Sequence, residues 1–216
     1  MPVARFPDPH TADAQGLVAI GGDLHPDSLL LAYRSGIFPW PVADMPMLWF
    51  SPPTRAVLEF QALHVPRSLE RVLRRNPFRC TIDGAFTDVI RGCAEAPRPG
   101  QEGTWITRDM TDAYVRLHRL GIAHSAEAWL GDELAGGIYG VAVDGAFAAE
   151  SMFFREPNAS KVALLHLVGH LQSRGLDWLD IQMMTPHMSR LGAKAVPRAD
   201  FLRRLAATRA RGLVLF

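Results

Sequence analysis

Apolar and polar positions along the chain follow two different periods, and the period changes where Gly and Pro cluster. From Arg55 the pattern is regular: RAVLEF reads as a strand and VPRSLERVLRRN as a helix, with Arg67, Arg71, Arg74 and Arg75 on one face of it. FRCTI is the next strand. The helix after it turns Phe86, Val89, Ile90 and Cys93 inward, and GTWITRDM opens another, capped by Thr107, with Tyr114, Leu117 and Leu120 on its buried side. HSAEAWL, ELAGGIYGVAV and AFAAESMFF form an antiparallel meander, joined at Gly131-Asp132 and at the hairpin signal Asp144-Gly145. Ser160 is expected to cap the helix KVALLHLVGHLQSRG. That helix leads into the strand WLDIQMM, and a last helix starts near Pro197.

Upstream of Arg55 the picture differs. One helix stands out in HPDSLLLAYRSG, with Pro26 suited to its first turn and Gly36 to its carboxyl end. The prolines and tryptophans of IFPWPVADMPMLWFSPPTR leave no room for a regular element. The expected fold class is α+β, a mixed sandwich in which a small irregular amino-terminal domain (residues 1–60) precedes a sheet-and-helix domain (61–216).

Composition narrows the function. With 48% hydrophobic and 21% charged residues the chain has the balance of an ordinary folded globule. Two cysteines outside any CxxC pair argue against a disulfide framework or a zinc knuckle. The amino terminus shows no apolar leader pattern and no stretch has the length of a membrane span, so the reading is a soluble, cytoplasmic protein. A net charge of +1 means that any contact with nucleic acid comes from a local basic patch, and the four-arginine face is either that patch or a solvated surface.

Candidate chemistry is sparse. Strand alternation puts Asp180 and Gln182 on one face of WLDIQMM and Leu179 and Ile181 on the other. A carboxylate and a carboxamide among apolar neighbours are either a hydrogen-bonded strand end or a reactive pair. Glu150 interrupts the apolar run AFAAESMFF, as an outward-facing residue or as a companion to that pair. His166 and His170 lie four apart, but HLVGH lacks the glutamate of a zinc protease, and no metal is expected. No GxSxG elbow accompanies Ser151 and no GxxxxGK[ST] phosphate loop occurs.

Five strings, GLVAIGGDL, YRSGIFPW, EGTWITRDM, AESMFFREPNASKVAL and LDIQMMTPHMSRLGA, in this order and spacing, resemble the leucyl/phenylalanyl-tRNA-protein transferase family, from about Phe6 to about Leu205. The resemblance implies a catalytic domain similar to the GNAT (acyl-CoA N-acyltransferase) fold. It implies transfer of Leu or Phe, with Met a third possibility, from leucyl-tRNA or phenylalanyl-tRNA to acceptor proteins with an N-terminal Arg or Lys, which tags them for degradation. An aminoacyl ester is already activated, so attack by an amine needs neither ATP, metal nor other cofactor.

By the same resemblance the D-x-Q acid and amide fall on Asp180 and Gln182, and the glutamate of the GES motif on Glu150. Trp40 and Trp105 become stacking platforms for the terminal adenosine, and the arginine face meets acceptor-stem phosphates. The amino-acid pocket maps onto Ile138, Phe147, Met152, Leu164, Leu167, Leu171 and Leu179. Two rivals are weighed alongside. An acyl-CoA N-acetyltransferase wants a glycine-rich turn that ESMFFREPNASK does not offer, and a tRNA-binding module needs no acid and amide.

Overall fold

The computed structural model of the protein describes residues 2–97 and 104–216, so Glu102 and Gly103 of the EGTWITRDM string lie outside the described residues. The amino-terminal part is more regular than its prolines suggest. Strands β1 (Leu17–Ile20), β2 (Phe38–Trp40) and β3 (Leu48–Phe50) form an antiparallel sheet in the order β1-β3-β2, with helix α1 (Pro26–Arg34) between β1 and β2. Pro39 lies in β2, an edge strand, where a missing amide interrupts no interior ladder. That tolerance accounts for β2, while β3, the central strand, contains no proline, so the run IFPWPVADMPMLWF holds two strands where none was expected. Pro26 opens α1, and Gly36 follows its last turn with φ of 73°.

The remaining chain runs β4 (Thr54–Glu59), α2 (Arg67–Arg75), β5 (Arg79–Ile82), α3 (Phe86–Glu95), α4 (Arg108–Arg119), β6 (Ala123–Leu130), β7 (Glu133–Val143), β8 (Ala146–Phe154), α5 (Ala159–Ser173), β9 (Trp178–Gln182), α6 (Pro186–Arg190), β10 (Lys194–Pro197) and α7 (Arg198–Arg209). Its strands make one seven-stranded sheet in the order β10-β4-β9-β8-β7-β6-β5. The chain thus passes from the small sheet to the large one between Phe50 and Thr54, a few residues ahead of position 60. Among the described residues the strand pairs are antiparallel except β8 with β9, which α5 connects as a crossover. The fold is mixed α and β, as the pattern of periods indicates.

Two apolar layers hold the sheet. Leu164, Leu167 and Leu171 of α5 pack on one face with Leu69, Phe147 and Leu179, while α1, α3 and α4 cover the other with Leu29, Ile90 and Leu117. The meander turns as its sequence demands: Asp144 and Gly145 both take positive φ, 49° and 81°, as a two-residue hairpin requires.

Other local expectations need correction. Thr107 caps α4, accepting from Met110 N, and Tyr114 and Leu117 are fully buried, but Leu120 is 58% exposed because the helix has ended there. Ser160 is not a cap. The helix α5 starts at Ala159 behind Asn158 in the left-handed conformation, and Ser160 is buried within its first turn. The elements α6 and β10, of 5 and 4 residues, are too short to show a period. Among the described residues no helix is long and apolar enough to cross a membrane.

Candidate functional site

Two irregularities in the sheet build the site. In the β7–β8 ladder Tyr139 faces Ser151 and Gly140 faces Ala149, so Glu150 is the extra, unpaired residue of a bulge. In the β4–β9 ladder Val57 faces Asp180 and Ala56 faces Gln182, which leaves Ile181 over, and Gln182 has φ of 61°. The parallel pairing of β8 with β9 is recorded at a single point, Ala148 with Asp180. Beyond it lies a cleft of about 680 Å³ whose lining includes Glu150, Ile181, Ile138, Met152 and Leu164. Gly140, opposite the bulge, approaches the Ala148 carbonyl and the Phe147 ring so closely that a Cβ would collide with both.

Asp180 and Gln182 are buried, at 5% and 4% exposure. Simple alternation does not bring them together, since the bulge at Ile181 breaks it. The Gln182 amide donates to Asp180 Oδ1 at 2.9 Å, and the Gln182 side chain donates from Nε2 to Glu150 Oε1 at 2.6 Å. Asp180 is gripped by a residue the sequence pattern did not single out: Arg55 donates from Nε to Oδ1 at 2.8 Å and from Nη2 to Oδ2 at 2.6 Å. The guanidinium is 1% exposed, lies between the Phe38 and Phe201 rings and also reaches the Gly36 carbonyl. This bidentate fork fixes the Asp180 carboxylate and leaves it little freedom to move toward another group.

Glu150 sits differently. It is half-buried and lines the cleft. Tyr33 of α1 donates to its Oε1 at 2.7 Å, and Tyr114 of α4 to its Oε2 at 3.3 Å; the two phenol oxygens also touch each other. Burial pushes the Glu150 carboxyl from 4.5 up to about 7, and the Asp180 charge adds to the rise. The Tyr33 hydrogen bond, Arg55 and Gln182 pull the other way. Both phenols are raised well above their usual range, by burial first and then by the Glu150 charge, so they remain donors. Neither tyrosine was a candidate from sequence. Tyr114 was legible only as an inward position, and Tyr33 carried no signal beyond its place in an amphipathic helix.

The other candidates fall in distinct places. Ile138, Met152 and Leu164 line the cleft, whereas Phe147, Leu167, Leu171 and Leu179 are buried in the layer beneath it, each at 1% exposure or less. Trp40, at the end of β2, and Trp105, just ahead of α4, stack on each other with ring centroids 5.1 Å apart and 17° between planes. Arg67, Arg71, Arg74 and Arg75 are exposed on α2 opposite its buried Leu69, and Arg74 lies 4.0 Å from Glu70. His170 is not simply solvated, for its Nε2 meets the Leu215 carbonyl at 2.8 Å and its ring stacks on Phe216. Among the described residues no group of three His, Cys, Asp or Glu side chains is placed to hold a metal ion.

Residues 57–206 match the family model described as leucyl/phenylalanyl-tRNA protein transferase, and residues 22–53 match the model of the N-terminal domain of that protein. The chain belongs to this family. A leucyl/phenylalanyl-tRNA–protein transferase of Anaeromyxobacter sp. (strain K) is 58% identical over 212 residues, which cover 95% of this chain and 91% of the relative. One from Magnetococcus marinus is 54% identical over 214 residues, covering 94% and 90%. The matched region spans both bulges, the cleft and the arginine face of α2. A solved structure, that of L-PGS from Bacillus licheniformis, matches with a TM-score of 0.43 and 11% identity over 75% of this chain and 52% of its own, too slight a likeness to bear on the fold.

Proposed function

We propose that the chain moves leucine or phenylalanine from leucyl-tRNA or phenylalanyl-tRNA, and methionine as a third residue from its own aminoacyl-tRNA, onto the N-terminal Arg or Lys of acceptor proteins, marking them for degradation. Aminoacyl transfer from tRNA to protein is its family's activity, and the chain is an aminoacyltransferase. One observation carries the mechanism: a carboxyl with its ionisation near neutrality, Glu150, in the wall of an otherwise largely apolar cleft. The side chain of the donor residue occupies the cleft against Ile138, Met152 and Leu164. The neutral α-amine of the acceptor attacks the ester carbonyl carbon, and the bond to the ribose oxygen breaks. Glu150 accepts the proton shed by the amine and passes it to the departing ribose oxygen, which returns the carboxylate to its starting state.

Asp180, locked by Arg55, then has a positioning role. It holds Gln182, and through it Glu150, instead of taking the proton itself. The Trp40 and Trp105 rings are already in stacking contact, so the terminal adenine stacks on an outer face of the pair or parts the two rings. The mixed sheet, with α5 crossing between parallel β8 and β9, supports a GNAT-like reading of a catalytic domain preceded by the small-sheet domain.

Labelled leucine from leucyl-tRNA is expected to reach a protein beginning with Arg, and not one beginning with Asp, Glu or Met, without added ATP or metal. Absence of transfer to any acceptor, with tRNA still bound, would leave a binding module. The arginine face of α2 is read as meeting acceptor-stem phosphates. The double variant Arg71→Ala/Arg74→Ala is therefore expected to flatten the slope of log affinity for tRNA against log salt by about 1 to 2. An unchanged slope returns those residues to a solvated surface.

A further inference from the structure

Besides Glu150 the cleft wall carries a second polar feature. His187, in the first turn of α6, lines the cleft, and its Nε2 is buried without a hydrogen-bond partner among the described residues. Leaving such an atom unpaired carries a desolvation penalty that a bound ligand would relieve. Burial holds the His187 imidazole below its usual value, and the positive charges of Lys161 and Arg190 lower it further, so both cations act on this ring. Arg190 also lines the cleft, and among the described residues it meets no carboxylate within ion-pair distance. Lys161 belongs to the first turn of α5, donates to Asn158 Oδ1 at 3.2 Å, and stands at a helix end with no side-chain cap. A partial positive charge from the helix therefore adds to its own. Glu150 is the one carboxylate among the cleft's lining residues, and it is already engaged by Tyr33, Tyr114 and Gln182.

An apolar cleft lined by an unsatisfied imidazole and Arg190, with the Lys161 charge acting on the same imidazole, suits a ligand that is apolar at one end and anionic at the other. The acceptor protein offers the wrong charge, since its leading residue is basic. An aminoacylated nucleotide fits, because its side chain, ester, ribose and 5′-phosphodiester follow one another along a short, nearly fixed chain. Resting on the transfer reading above, we propose that His187, Arg190 and Lys161 bind the phosphodiester immediately 5′ of the terminal adenosine of the aminoacyl-tRNA. This grip is separate from the arginine face of α2, which is placed to meet the stem. His187 donates from Nε2 to a phosphate oxygen, and Arg190 and Lys161 neutralise the charge. The grip would set how far the ester enters the cleft while reading no base.

The test compares two minimal donors, the leucyl ester of adenosine and the leucyl ester of adenosine 5′-monophosphate, with a peptide beginning with Arg as acceptor and leucyl-tRNA as the positive control. For the wild-type protein the phosphate is expected to raise kcat/KM by roughly ten- to a hundredfold, the range for hydrogen bonds to a charged group. In Arg190→Ala, and separately in His187→Gln and Lys161→Ala, that ratio is expected to fall about tenfold, whatever happens to the nucleoside ester alone. Equal kcat/KM for the two donors in the wild type overturns the inference, as does a ratio that none of the variants changes. If a variant depresses both donors by the same factor, the imidazole or cation serves the aminoacyl group, and the phosphate assignment fails. A second measurement does not depend on turnover. Ring protonation of His187, followed by NMR, should shift to higher pH when adenosine 5′-monophosphate binds and stay in place with adenosine. Loss of transfer from leucyl-tRNA itself would instead count against the underlying transferase reading, so the two failures are distinguishable.

Discussion

Glu150→Gln is expected to lower the rate of aminoacyl transfer by about 10²- to 10⁴-fold, the usual contribution of a positioned general base, while tRNA binding changes little. The substitution keeps the length of the side chain and one oxygen, which can still accept from Tyr33 and Gln182 as Oε1 does, while Tyr114 loses its acceptor to the amide nitrogen, so geometry is largely spared. What is lost is the ability to take a proton. The wild-type rate should rise with pH through about 7 as Glu150 ionises, and again through the amine of the acceptor, whose model value is about 7.7 to 8.0. Only the second rise should survive in the variant. Tyr33→Phe removes a hydrogen bond that holds the carboxyl down, and it should move the first rise to higher pH. A Glu150→Gln enzyme that keeps more than about a tenth of wild-type turnover between about pH 6 and about pH 9 would exclude the carboxylate as the base.

The same shift has a consequence for stability, and its sign is opposite to that of most carboxylates. Because the folded value, about 7, lies above the reference of 4.5, the folded state binds the proton more tightly than the unfolded chain. The stability contributed by Glu150 is therefore fully present below 4.5 and is lost as pH rises to about 7. Denaturant midpoints should show this decline in the wild-type protein. Glu150→Gln should lack that component, and at neutral pH it should be no less stable than the wild type. A variant both inactive and strongly destabilised would point to a structural role.

How much of this was legible in the sequence depends on whether a feature is local. The strands β6 to β8 and the helices α3 and α4 follow from period and turn chemistry, because each is specified by residues within its own segment. Strand β2 was hidden by Pro39, which its edge position tolerates, and the central strand β3 by its shortness and by the prolines on either side of it. At the site, Asp180, Gln182 and Glu150 stood out as polar residues in apolar strands, but the two bulges that aim them did not, since a bulge is a property of the ladder and not of one strand. Arg55 is 125 positions from Asp180, and Tyr33 is 117 from Glu150. Nothing in a single strand or helix reveals a partner so distant. An arginine inside the strand pattern RAVLEF was the one available hint, since burying it demands a counter-charge. Periodicity also shows which side chains are inward but not which inward side chains meet a cavity. Hence Leu167 and Leu171 of α5 lie in the layer beneath, while Leu164 on the same helix reaches the cleft.

The largest expected loss of stability belongs to the Arg55–Asp180 pair. Asp180→Asn and Arg55→Met are each expected to destabilise the protein by about 3–5 kcal/mol, because either change leaves a buried charge without its partner. With one arginine at 1% exposure and one carboxylate at 7%, water cannot supply the missing counter-charge. The Phe38 and Phe201 rings over the guanidinium soften the loss in Asp180→Asn, and the Gln182 amide that donates to Asp180 Oδ1 softens it in Arg55→Met, so the two losses should be of similar size. The double variant Arg55→Met/Asp180→Leu removes both charges and should recover much of the loss, giving a coupling energy of about 2 kcal/mol or more in a double-mutant cycle with Asp180→Leu as its other single change. Activity should separate from stability in that cycle: the double variant regains its fold but not turnover, since Gln182 and Glu150 lose the carboxylate that fixes them. Single changes that each cost under about 1 kcal/mol, or a double variant whose loss is the sum of the two, would mean that the pair neither holds the sheet together at β4 and β9 nor positions the site built on it.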